Sequence, residues 1–257
     1  MRLIVKTFNF FQMQRFITFG LTFALLAGVL SSCSKDELTL PSKVSFYFGM
    51  TPHSDSENDD VLKSGHGSAV QPGPFSFTID KGTMVLTAIE FDGRREQGQD
   101  VYFMSGFSAP LVLKLDEPAT QENVDFDIPQ GVYRRIDVSL HLGNDGVPLH
   151  LEGVFNRPGM GPVNIRFEYE FDDIITIRST GQGANQTITL RKDQPSTAMV
   201  MLNTGSLFGL VNPVLFMNAD IIVENGQNIL RISNHHNRNI FNQIAARMNN
   251  AFTVVFE

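Results

Sequence analysis

From Phe75 onward the chain alternates apolar and polar residues in short segments separated by turn residues, the pattern of half-buried antiparallel strands. Phe75, Phe77 and Ile79 alternate with Ser76 and Thr78, and Val124, Phe126 and Ile128 alternate with Asp125 and Asp127. The cleanest run sets Val163, Ile165, Phe167, Tyr169 and Phe171 against Asn164, Arg166, Glu168 and Glu170. One face of each strand is core and the other is wet. Further strands are predicted at Met84 to Phe91, Val101 to Met104, Leu111 to Leu115, Tyr133 to Leu142, Val147 to Phe155, Ile174 to Arg178, Gln186 to Leu190 and Ala198 to Leu202. Turn signals fall between them at Asp92-Gly93, Pro129-Gln130-Gly131, Gly143-Asn144-Asp145-Gly146 and Arg157-Pro158-Gly159. Upstream, Lys43 to Met50 reads as a first strand and Thr51 to Gly73, rich in Asp, Ser, Gly and Pro, as an exposed loop.

The C-terminal stretch changes period. Asp220 to Val223 and Ile229 to Ile232 read as a hairpin around Asn225-Gly226. Asn237 to Asn250 then sets Ile240, Phe241, Ile244 and Met248 on one side of a helix, with Asn237 or Asn239 as its N-cap, and Thr253 to Phe256 closes as a strand. The fold class expected is all-β and mainly antiparallel: a β-sandwich over 43–203 that includes the exposed loop 51–73. Residues 204–257, a hairpin, one amphipathic helix and a strand, pack on or beside it.

The N-terminus adds an address. Arg15 precedes a run from Phe16 to Leu30 whose only polar side chains are Thr18 and Thr22, and Ser31-Ser32-Cys33 follows at once. That is the order of a secretory signal, and the run is shorter than the roughly 20 apolar residues of a membrane span. Met13 would also make an ordinary start. Leu30-Ser31-Ser32-Cys33 resembles the bacterial lipobox, which implies cleavage before Cys33 and acylation of its thiol and new amine. Several acyl chains anchor firmly where one binds only reversibly. The next four residues, Ser34-Lys35-Asp36-Glu37, resemble the surface-export signal of lipoproteins in the Bacteroides group, implying the outer leaflet of the outer membrane. A generic charged tether is the other reading.

Removing the first 32 of 257 residues leaves 225, with 17 basic residues against 27 acidic and a net charge of −10. Clustered Lys and Arg are what hold phosphates, so nucleic acid is not an expected partner. Cys33 is the only cysteine, which rules out an internal disulfide. With 22 Phe, 4 Tyr and no Trp, the chain also lacks the aromatic girdles of a membrane barrel. The run Asp125 to Ile136, with its Pro129-x-Gly131-x-Tyr133 turn between two strands, resembles a motif of uncharacterised lipoprotein domains in the same bacteria. That resemblance spans roughly Asp80 to Asn203, implies a sandwich of immunoglobulin or transthyretin type, and implies no activity.

Site chemistry is sparse. There is no Gly-x-Ser-x-Gly elbow, Walker loop or His-Glu-x-x-His, and acidic pairs on strand faces do not by themselves distinguish a glycosidase. Asp55 to Asp60 is acidic like a calcium loop but has Asp60 where glycine belongs and His66 where the bidentate acid belongs, so it reads as a solvated linker. His235-His236 are adjacent and therefore diverge, a poor chelate and more naturally a polar loop. If Gly143 to Gly146 closes a tight hairpin with Leu140 opposite Leu149, the wet face carries Asp137, Ser139 and His141 beside His150 and Glu152. Asp137 then lies directly across from Glu152. Opposed like charges call for a cation, either a neighbouring arginine or a divalent metal held by Asp137, His141, His150 and Glu152. A wet face paired to arginine is the ordinary reading.

No catalytic residue or cofactor is expected beyond the covalent lipid on Cys33. The leading expectation is a lipid-anchored, non-enzymatic outer-membrane protein at the cell surface that binds a glycan or protein or takes part in assembly. The rivals are a periplasm-facing lipoprotein with a metal-binding or enzymatic role, and a structural subunit of a surface fibre.

Overall fold

A computed structural model describes residues 37–54, 76–118, 124–143, 146–157, 159–184 and 186–257. The strands are β1 (Pro41–Thr51), β2 (His53–Ser54), β3 (Ser76–Arg95), β4 (Val101–Lys114), β5 (Val124–Pro129), β6 (Gly131–Leu142), β7 (Leu149–Asn156) and β8 (Val163–Tyr169). They continue as β9 (Asp173–Arg178), β10 (Thr180–Gly181), β11 (Ile188–Leu190), β12 (Ser196–Asn203), β13 (Ile222–Glu224), β14 (Gln227–Ile232) and β15 (Phe252–Phe256). Four short helices, α1 (Thr204–Phe208), α2 (Pro213–Met217), α3 (Arg238–Ala245) and α4 (Met248–Ala251), lie between β12 and β15. The smaller sheet runs β10-β15-β12-β1-β5. The larger has ten strands, with the path β11-β6-β3-β7-β8-β14-β13, β2 and β4 joined to β3, and β9 joined to β6. The all-β sandwich expected from the alternation is therefore what forms. Most pairings are antiparallel, while β1–β12, β10–β15 and β8–β14 are parallel.

β3 is the spine. The sequence reads as two strands there, yet one strand of 20 residues forms. Register shifts at Ile79/Lys81 against β7 and at Leu86/Ala88 against β6 each absorb one extra residue of β3. Because side chains alternate with period two, two such bulges let Phe77, Ile79, Met84, Leu86, Ile89 and Phe91 all stay buried. Asp92-Gly93, a predicted turn, lies inside the strand. A Cβ on Gly93 would sit 2.6 Å from ring carbons of Phe91 and Tyr133, so the glycine makes room for a ring rather than for a turn.

The predicted β6–β7 hairpin does not form. β7 pairs with Ser76–Met84 of β3 and β6 with Leu86–Arg95, so the two lie end to end along β3 instead of side by side. Val85 holds both margins of their connection, receiving Gly143 N at its carbonyl (3.4 Å) and donating to the Pro148 carbonyl (2.8 Å).

The C-terminal segment, expected on or beside the sandwich, contributes strands to its sheets. β15 pairs with β12 in the smaller sheet and β14 with β8 in the larger, so its strands are part of both sheets. The Asn225-Gly226 turn forms with both residues at positive φ (49° and 78°), as a two-residue hairpin needs. In place of one helix there are four short ones, although Ile240, Phe241, Ile244 and Met248 are buried as the spacing requires. Asn237 occupies the N-cap position of α3 in the left-handed region but does not cap it. Its side chain instead ties Asp220 N (2.8 Å), Asp220 O (2.9 Å) and Arg231 O (2.7 Å).

Phenylalanine joins the layers. Phe103 of β4 stacks on Phe91 of β3 (5.3 Å) and reaches Phe126 of the smaller sheet (5.3 Å). At the other end of β3, Phe208 and Phe216 from the helices lie 5.7 and 5.2 Å from Phe77, and Phe241 lies 5.8 Å from Phe167. Rings in such contact add about 0.5–1.5 kcal/mol per pair to what their burial contributes. The Pro129-x-Gly131-x-Tyr133 motif is a corner between the sheets. β5 of one ends at Pro129, Gly131 turns with φ 151°, and the buried Tyr133 hydroxyl donates back to the Pro129 carbonyl at 2.5 Å.

Candidate functional site

The outer face of the ten-stranded sheet carries the polar residues that alternation sends outward, in two clusters. On β3, β6 and β9, Asp92 lies directly opposite Asp137, and Asp137 opposite Arg178. Asp137 is nearly buried and receives Arg178 Nε (3.0 Å) and both Nε and Nη2 of Arg135. Burial would raise its pKa, but the two guanidinium partners outweigh that and hold the carboxyl below its ordinary range. Asp92 has its own cation in Arg94 (3.2 Å). Next along β6, Ser139 and Thr176 share a hydrogen bond of 3.0 Å, and His141 Nε2 lies 3.3 Å from Glu90.

The second cluster crosses β7, β8, β14 and β13 as an alternation of sign. His150 Nε2 is 3.6 Å and Arg166 Nε 3.7 Å from Glu152 Oε1. Arg166 then donates to Glu224 (2.8 Å), Arg231 to Glu224 (3.3 Å), and Arg231 to Glu168 (2.7 Å). Glu168 sits directly opposite His150 on β8. Burial depresses the His150 pKa, only partly offset by Glu152 and Glu168, so its ring is held neutral.

These positions correct the expected register. Asp137 faces Asp92 and Arg178, not Glu152, because β6 and β7 are collinear. His141 is beside Ala88 of β3 and His150 beside Thr83. His150 and Glu152 are neighbours, and Asp137 and His141 belong to the other cluster, so the four do not converge. Among the described residues no group of three or more His, Cys, Asp or Glu side chains is arranged to hold a metal ion. The opposed carboxylates Asp92 and Asp137 take arginine as their cation, and Glu152 faces Lys81 and Arg166 rather than another acid. Arg135, Arg166, Arg178, Arg231, Glu90, Glu168 and Glu224 complete the clusters. Alternation placed several of them on wet faces, but only long-range strand pairing brings them together.

His235 and His236 lie in the turn that leads to α3, their backbone N–H groups both donating to Ser233 Oγ at 3.2 Å. Cys33, Ser34, Lys35 and Asp36 lie outside the described residues, as does the acidic run Asp55 to Asp60. Glu37 opens a 3-10 turn, Glu37–Thr39. A shallow cavity of about 220 Å³ opens between Gly181, Thr189, Leu190, Ser196 and Phe256, below the usual size of small-molecule sites. Compared with protein-family models, curated proteins and solved structures, the chain matches none.

Chemically, most acids of the outer face lie against arginines, while Glu90 lies against His141. It is an open, nearly self-neutralised surface on which Tyr102, Met104 and Ile174 stand more than half exposed. Such a face suits contact with another surface better than proton transfer in an enclosed site.

Proposed function

We propose that this chain is a lipid-anchored outer-membrane protein, attached through Cys33 and turned to the cell surface, whose sandwich is a non-enzymatic module for binding or assembly. The observation that carries the reading is an open sheet face whose charges are matched among themselves while large apolar side chains stay exposed. The lipobox-like Leu30-Ser31-Ser32-Cys33 supports the anchor, and Ser34-Lys35-Asp36-Glu37 supports the outward address. β1 begins at Pro41, eight residues after Cys33, so the tether is short. No helix among the described residues is long and apolar enough to cross a membrane.

The test is metabolic labelling with a palmitate analogue in cells making the full chain. Wild type is expected to take label and sediment with membranes, and Cys33→Ala to do neither; an unlabelled wild type would overturn the anchor. Protease treatment of intact cells then separates the faces. Degradation of wild type, with protection after all four residues Ser34 to Glu37 are changed to alanine, is the expected pair of results.

A further inference from the structure

The ten-stranded sheet ends along β4 at an edge that no described strand covers, since β4 pairs only with β3. A free strand edge presents outward N–H and C=O groups that only another extended strand satisfies in register. Other edges here are guarded by shortness or charge. β10, β11 and β13 have two or three residues each, β9 starts on Asp173 and ends on Arg178, and β5 carries Asp125 and Asp127 and ends on Pro129. In β4 only the second half is guarded, by a break in register after Gly106 and by Pro110 and Lys114. Val101–Gly106 keeps unbroken register with β3 and contains neither charge nor proline.

That unguarded half is apolar on both faces. Tyr102 is 65% and Met104 58% exposed on the outer side. On the inner side Val101 and Phe103 are only half buried, as are Val124 and Phe126 of β5, so the seam between the terminal strands of the two sheets is incompletely covered.

We propose that Val101–Ser105 pairs antiparallel with the same segment of a second copy of this chain, about a two-fold axis at Phe103 that joins two ten-stranded sheets into one. Residues facing one another across such an axis share a sheet face, so Tyr102 of each copy meets Met104 of the other and Phe103 meets its own mate. The aromatic–sulfur contacts are favourable, and Phe103 with its mate continues the row from Phe91 to Phe126. Charge selects a second copy here. An uncharged segment brings no like charges together when it meets itself, whereas the same operation on β5 about Phe126 would oppose Asp125 to Asp127 twice. The pairing holds whether or not Cys33 carries lipid.

Two differently tagged full-length copies, produced together, test it. Wild-type copies are expected to co-isolate. The double variant Tyr102→Lys with Met104→Lys places like charges opposite each other twice and is expected to lower co-isolation at least about tenfold. Tyr102→Lys with Met104→Glu makes the same two positions complementary between copies and is expected to restore it; because position 104 faces Glu90 of β3, this variant is expected to melt slightly below the double-lysine one while remaining folded. A photo-crosslinking residue at position 102 should give an adduct of twice the chain mass that maps to Val101–Ser105, while one at Ile174 should not. Wild-type copies that do not co-isolate, equal co-isolation by the folded double-lysine variant, or an adduct from position 102 only to a different protein would overturn the proposal.

Discussion

Tyr133→Phe isolates the corner on which the two sheets are joined. The hydroxyl donates to the Pro129 carbonyl at 2.5 Å from a side chain with no exposed surface, so its loss removes a neutral hydrogen bond and leaves an acceptor where water has little access. A lost bond of this kind with its orphaned partner costs about 1–3 kcal/mol. In a chain of this size that corresponds to a fall in melting temperature of roughly 2–10 °C. The ring survives the substitution and keeps its edge contact with Phe91 at 6.0 Å, whereas Tyr133→Ala also leaves a cavity and should cost about 3–5 kcal/mol. Urea unfolding of the three proteins measures the ladder, with an unchanged denaturant slope showing that the unfolding reaction is the same.

Alkaline pH gives a second arm. Burial raises the Tyr133 pKa from 10.0 to about 12, so its contribution is complete below pH 10 and lost as the pH rises through 12. The stability gap between wild type and Tyr133→Phe should narrow over that interval, with Tyr169 common to both proteins. A Phe variant as stable as wild type at pH 7, or as unstable as the Ala variant, would refute the corner as a hydrogen-bonded joint.

Two further outcomes follow from the sheet itself. Because burial holds His150 neutral, the unfolded chain takes up a proton more readily than the folded one as the pH falls below 6.5. Wild type should therefore lose stability there and His150→Gln should lose less, while the separate loss below pH 3.8, where Asp137 sheds its arginine pairing, persists in both; parallel urea midpoints from pH 7 to 5 would contradict this. Gly153→Ala would set a Cβ 1.7 Å from the Thr78 carbonyl oxygen, a backbone atom that can yield only if β7 parts from β3, so a loss above about 2 kcal/mol with faster amide exchange in both strands is expected. Wild-type stability in that variant would mean that the two strands do not approach as closely as the register requires.

Much of the fold was legible in residue alternation because a two-residue period depends only on which face is dry. Where reading failed, a local cue had a non-local cause. Asp92-Gly93 has the composition of a turn, but its glycine is set by the ring of Tyr133, about forty positions later in the chain. Gly143 to Gly146 has the composition of a hairpin, but each of the flanking strands finds its partner on β3, and nothing in four turn residues says which strand stands beside them. Helices α1 and α2 have five residues each, too few for a 3.6-residue period to register. Their signals were the caps: Asn203 accepts from Ser206 N, and Asn212, just before Pro213, accepts from Val214 N.

The charged clusters were half legible for a related reason. Alternation puts Asp137, Arg166 and Glu168 on a wet face, and opposed carboxylates demand a cation, but the choice between arginine and metal depends on which strands are adjacent. Arg231 and Glu224 are seven residues apart across a hairpin whose turn is written as Asn-Gly, so that pair could be read locally. Arg178 reaches Asp137 across 41 residues, and Arg166 reaches Glu224 across 58 through a parallel β8–β14 pairing that no turn announces. β4 is half legible in the same way. Its lack of charge from Val101 to Gly106 is visible in the chain, while the fact that this segment forms an edge emerges only once β3 has chosen β6 and β7 for its other side. An uncharged stretch in a central strand is ordinary core, and the identical stretch at an edge is a surface that a second strand can use.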